Sequence, residues 1–163
     1  MKFTLVNQPP EVALSNLQAS KIDADGRWPP HWGLAVNKGI ARVLATGKDY
    51  NFQFVCGLVV NKEFAEQHPK VITGWLRAEI DAHELIRKEP ARAAQIIFEA
   101  WEKKIPLEVI QRDVESALYP DQVQPEHAEV LKAGAEFLSR NKMIDTTPDI
   151  DGWIDTRYLA GAR

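Results

Sequence analysis

Residues 52–60 constrain this chain more than any other stretch. Phe54, Val55, Cys56, Leu58, Val59 and Val60 form a near-continuous apolar run with no charge and no proline. A strand with one wet face alternates apolar and polar residues. A run that is apolar on both alternations suits burial on both faces, as at the centre of a parallel sheet. The residues before it fit the same scheme of short strands alternating with helices. Phe3, Leu5 and Val6 make a brief strand ended by Asn7-Gln8, and 41–44 (Ala-Arg-Val-Leu) make another, stopped by Gly47-Lys48-Asp49. A further strand would begin at Asp23-Ala24, but Asp25-Gly26-Arg27 interrupts it with poor strand formers. Between the strands, Pro9-Pro10 opens a helix closing near Lys21, since proline costs nothing in a first turn. Residues 32–38 make two helical turns, with Gly39 as C-cap.

After residue 60 the grammar is helical only. Pro69, Pro90, Pro106 and Pro125 each precede apolar residues at helical spacing, so each marks a helix start. In 69–87 the apolar stripe is Val71, Ile72, Trp75, Leu76, Ile80 and His83. The tail, 149–159, reads as a short docked helix carrying Trp153 and Tyr158. The expected fold class is therefore α/β, a short parallel sheet in the amino-terminal part followed by a helical carboxyl-terminal part. With 163 residues, 45% apolar and 26% charged, the chain has the size and composition of one globular domain. No apolar run approaches the roughly 20 residues that a membrane span needs. The start at Met1 has no long apolar core and no cleavage site, so no signal peptide is expected and the chain is cytoplasmic as encoded.

A net charge of −3 argues against a nucleic-acid partner. Residues 1–60 carry six Lys/Arg against four Asp/Glu, whereas the remainder carries fourteen against nineteen. The single cysteine excludes an internal disulfide and a cysteine-based zinc site. His83-Glu84 begins like a zinc-protease motif, but the second histidine position holds Arg87. Glu79 and His83, four apart, suit a helix-surface hydrogen bond better than a metal site lacking a third ligand. Cys56, inside an apolar strand, reads as a small buried hydrophobe rather than a nucleophile. With no assembled nucleophile, base or metal set, neither catalysis nor a cofactor is expected.

Two features suit ligand binding. The loop 7–10 (Asn-Gln-Pro-Pro) joins a strand end to a helix start, where free N–H groups and the helix dipole attract small anions. Taken alone it reads first as a well-made strand–helix turn. The segment 28–32 (Trp-Pro-Pro-His-Trp) is a stiff aromatic turn of the kind that walls small-ligand pockets, or else a pair of core tryptophans under a loop.

Several segments, in order, resemble the substrate-binding proteins of nitrate, taurine and alkanesulfonate ABC importers. The first is 17–24 (Leu-Gln-Ala-Ser-Lys-Ile-Asp-Ala) with Trp28, Pro30, Gly39 and 42–44 (Arg-Val-Leu). The next is 57–69, from Gly57 through Phe64-Ala65-Glu66 to Pro69, and the last are 135–138 and 150–159. The resemblance implies a fold of two α/β lobes around a ligand cleft, feeding a membrane permease, and a periplasmic location. It places 1–52 in the second lobe and 53–163 as a crossing strand plus the closing helices of the first lobe. The family is about twice this length, so the chain corresponds to its carboxyl-terminal half.

By the same resemblance Gln8, Trp28, His31, Asn51 and Phe52 line the cleft, around a small molecule expected to be anionic, such as a sulfonate or nitrate. The family's acidic position after the tryptophan is Pro29 here, so no partner for a ligand ammonium is implied. Two alternatives stand beside this reading. One is a split or truncated member pairing with a second copy or with a complementary amino-terminal half. The other is a desulfinase-like enzyme on the same scaffold, for which only Cys56 and His31 are available.

Overall fold

Every regular element among the described residues carries its own hydrogen bonds. The computed structural model describes residues 3–50, 52 and 54–163, and over these it contains helices and no strand. The helices are α1 (Pro10–Gln18), α2 (His31–Asn37), α3 (Lys62–Gln67), α4 (Pro69–Lys88), α5 (Pro90–Ala100), α6 (Leu107–Ser116), α7 (Pro125–Arg140) and α8 (Ile150–Trp153), with a 3-10 turn at Gly47–Tyr50. Proline sets the starts as expected. It occupies the first turn of α1, α5 and α7, begins α4, and is the N-cap residue of α6. Proline, as Pro30, also precedes α2, and the starts of α3 and α8 are capped by side chains. Asn61 Oδ1 accepts the Phe64 N–H at 3.1 Å ahead of α3, and Asp149 Oδ1 accepts the Gly152 N–H at 3.2 Å ahead of α8. Gly39, at φ +67°, closes α2, its N–H donating to the Val36 carbonyl at 2.9 Å.

The expected α/β class, with its short parallel sheet, is overturned. Residues 3–6, 41–44 and 54–60 are neither helical nor paired, and their apolar side chains face solvent: Leu5 is 89% exposed, Leu44 70%, Phe54 78% and Val59 94%. The reason is physical. A helix closes its bonds between residues four apart, whereas a strand must borrow a ladder from a neighbour. Cys56, expected to be buried in the central strand, is exposed for the same reason. Trp153 is also exposed, although α8 itself docks through buried Ile150.

The chain forms two compact units. One comprises residues 1–45 and 88–118, and the other 46–87 and 119–163. In the first unit α6 packs against α5 and α2, and α1 against α2. Its core is built largely of small residues, Ala13, Ala35, Ala93 and Ala94, around Val109, Ile110 and Val114. Gly33 lets α2 approach α6 closely, because a Cβ there would stand 2.9 Å from both Arg112 Nη2 and Val109 Cγ1.

In the second unit α7 packs against α8, and Ala65, Ile72, Ala135, Ile150 and Ala162 are buried. Charged side chains tie its ends down. Arg77 Nη2 donates to the Gly161 carbonyl at 2.8 Å, and Lys132 pairs with Asp151 at 2.9 Å. Arg87 grips Asp121 through both nitrogens, at 2.9 and 2.8 Å, and donates to the Tyr119 carbonyl at 2.7 Å. None of the described helices is long and apolar enough to cross a membrane.

Two predictions concern this packing. Gly33→Ala should destabilise the protein by about 1–3 kcal/mol in urea unfolding, the usual cost of overpacking a tight helix contact. The second sets two carboxylates against each other. Burial raises the Asp113 pKa, so its ionised form opposes folding near neutral pH. Hydrogen bonding from Arg87 lowers that of Asp121, so its contribution is present above the usual carboxylate range and is lost as pH falls through the lowered value. Asp113→Asn should therefore raise the urea midpoint at pH 7 and Asp121→Asn should lower it. Both differences should shrink by pH 3.

Candidate functional site

Three of the five residues expected to line a cleft meet at one corner of the first unit. Gln8, half-buried just before α1, accepts the Asn16 side-chain amide at 3.0 Å through its own Oε1. Its backbone carbonyl accepts from Arg27 Nη2 at 3.1 Å. Arg27 Nε in turn pairs with Asp25 at 2.8 Å, so the guanidinium bridges the loop before α1 to the turn before α2. Next in the chain, Trp28 is 60% exposed and meets the His31 ring edge-to-face at 6.2 Å between centroids. His31 is the first residue of α2, and its backbone N–H donates to the Trp28 carbonyl at 3.1 Å. Between them the Pro29–Pro30 peptide is cis.

Phe52 belongs to the second unit, is 66% exposed, and is fixed by its N–H to the Gly47 carbonyl at 2.8 Å. Asn51 lies outside the described residues.

Arg27 was missed as a site residue, because Asp25-Gly26-Arg27 registers in a propensity reading only as a broken strand. The signal available was a pair of opposite charges flanking a glycine. The second tryptophan of the turn has a different fate. Trp32 is half-buried with Arg112 stacked over its ring at 5.0 Å, and Arg112 Nη2 also donates to the Gly33 carbonyl at 3.3 Å. Neither reading of the aromatic turn is met: Trp28 is exposed and lines neither of the two open recesses, and Trp32 is half-buried under Arg112 rather than in the core.

The corner offers an exposed aromatic face, a half-buried amide and the amino end of α1. With the Arg27 charge offset by Asp25, recognition there would come from backbone donors and the indole rather than from net charge.

Each unit also has an open recess. In the first, Pro30, Ala100, Trp101, Glu102, Lys104 and Ile105 line about 460 Å³. In the second, Glu66, Pro69, Thr73, Arg157, Tyr158 and Gly161 line about 430 Å³. The cation of each is already engaged, Lys104 by Glu102 at 2.6 Å and Arg157 by Asp155 at 2.7 Å. Asp155 holds the Arg157 pKa well above the ordinary arginine value. His83 lies 4.0 Å from Glu79 and 3.6 Å from Asp121, and no group of three metal-binding side chains occurs among the described residues.

No family model and no solved structure matches the chain. Over 163 residues it is 23% identical to a protein of Bacillus subtilis (strain 168) named "Putative aliphatic sulfonates-binding protein", a match that takes in 98% of this chain. It spans 48% of that relative, about half its length. The match falls on the relative's carboxyl-terminal half, in agreement with the resemblance drawn from the sequence to ABC-importer substrate-binding proteins.

If Arg27 organises the corner, Arg27→Gln should cost about 1–2 kcal/mol of stability by leaving Asp25 and the Gln8 carbonyl without their partner. Amide exchange at positions 27, 28 and 31 should accelerate more than exchange within α5, as read by hydrogen–deuterium exchange.

Proposed function

We propose that this chain is a solute-binding module of an ABC importer, that it takes a small organic anion of the sulfonate class, and that it performs no chemistry on it. The observation that carries the reading is the end-to-end similarity to the sulfonate-binding protein, which extends over 98% of the chain. The corner at Gln8, Trp28 and His31 supports it. An anionic head would meet the amino end of α1, where the helix dipole and the N–H groups that follow Pro9 and Pro10 favour negative charge. An aliphatic tail would lie on the exposed Trp28 indole. On this reading the module delivers its solute to a membrane permease.

The test is a thermal melt of the purified chain with nitrate, sulfate, taurine and a series of straight-chain alkanesulfonates. A ligand at a hundred times its Kd should add about 2.7 kcal/mol of stability, visible as a Tm rise of several degrees. Alkanesulfonates should give the largest shift, and Trp28→Ala should reduce it more than it reduces the Tm of the free protein. A panel in which no compound moves the Tm would remove the solute-binding reading.

A further inference from the structure

Helix α4 carries two apolar faces, and its own unit uses one of them. On that face Ile72 is buried, and Leu76, Ile80 and His83 are half-buried where His83 meets Tyr119 and Asp121. The other face is a seam of Val71, Trp75, Ala78, Ala82 and Leu85. These positions fall alternately four and three residues apart, the spacing of a helix that packs along another helix. Yet Val71 is 54% exposed and Trp75 55%, Ala78 and Ala82 are exposed, and only Leu85 is half-buried. A Cβ built on Gly74, at the edge of the seam, would meet nothing within 4 Å. None of the helix pairs that pack extensively among the described residues includes α4. The indole is already held, since Trp75 Nε1 donates to Glu79 Oε1 at 2.9 Å, so docking would have little of it left to order.

What covers the seam can be read from the charges beside it. Lys70 and Asp81 lie on one flank, about 20° apart around the helix. Both are exposed, and neither is in an ion pair among the described residues. The other flank, Ile72, Glu79 and Ile86, has no cation. When two copies of a helix pack antiparallel about a two-fold axis, like flanks meet; when they pack parallel, unlike flanks meet. Set antiparallel with Trp75 against Ala78 of the second copy, Val71 meets Ala82. In the same register each Lys70 comes within about 3 Å, measured along the axis, of the other copy's Asp81. The two-fold axis makes that pair occur twice. One register thus fits bulk to methyl group and cation to carboxylate, and α4 alone supplies every part. A parallel pair would leave Asp81 facing a flank without a cation.

We propose that this outward face of α4 is a self-association surface, which docks antiparallel on the same face of a second copy of the chain. A single helix pair is a small interface, so the dimer is weak, with a Kd on the order of 10 μM. The proposal is independent of the solute-binding reading.

Sedimentation equilibrium of the whole chain tests it, in reducing buffer so that the exposed Cys56 forms no disulfide between copies. The chain should show a reversible equilibrium between monomer and dimer. Asp81→Lys and Lys70→Asp each turn both ion pairs into like-charge contacts, and each should weaken the dimer about tenfold or more. Combining the two restores opposite charges and should return Kd to within about threefold of the unmodified chain. Both positions are exposed, so the helical circular dichroism of all three variants should match that of the unmodified chain.

A chain that is still monomeric at about 1 mM overturns the proposal. A dimer whose Kd ignores both single substitutions overturns it too, because the contact then lies on another face. So does a double variant that dimerises no better than the single ones, since the two charges then do not meet.

Discussion

A helix satisfies its backbone within a few residues, and a strand only against a neighbour. Most of what is ordered in this chain follows from that difference. Wherever a proline, an Asn61 or an Asp149 supplies a start signal, the next residues coil on their own bonds and pack afterwards. Where the sequence instead offers branched and aromatic residues in strand order, at 3–6, 41–44 and 54–60, no ladder forms among the described residues and the side chains stay wet.

The same difference decides what could be read in advance. Pro69, Pro90 and Pro125 placed their helices to the residue, and Gly39 closed α2 at the position its left-handed backbone requires. These signals are local, and the structure that answers them is local. The run at 54–60 states only which environment would suit it and carries no information on whether that environment is present. Cys56 was misjudged with it, because its burial depended on the strand being inside a sheet. The site was legible to a similar depth. Gln8, Trp28 and His31 could be singled out from a loop, an aromatic turn and the family resemblance, but what ties their segments together is Arg27, whose bond to the Gln8 carbonyl spans nineteen residues. No periodicity encodes a contact of that kind.

The two units also differ from ordinary domains in what they bury. Their interiors are mostly alanine, with Val109 the largest side chain fully removed from solvent. Small residues let helices approach closely, as Gly33 does against α6, but they bury little apolar area per contact. Large apolar side chains such as Trp75, Trp101, Leu118 and Trp153 remain on the outside. Charged side chains do part of the holding instead, Arg77 on the terminal carbonyls and Arg87 on Asp121 among them. Exposed pairs of this sort contribute modestly, so a partner that covers the large side chains would add more stability than any bond now visible within either unit.

The candidate site shows the same imbalance. Small-molecule sites commonly enclose 70–90% of their ligand's surface, because enclosure is what strengthens a few hydrogen bonds and strips water from an apolar body. The corner at Gln8, Trp28 and His31 presents a face rather than an enclosure, with the indole more than half open to solvent. On the solute-binding reading, a sulfonate resting there meets donors on one side and water on the other. Enclosure would therefore do more for affinity than a further donor at the corner, and a ligand that binds only the folded corner must, by linkage, stabilise it.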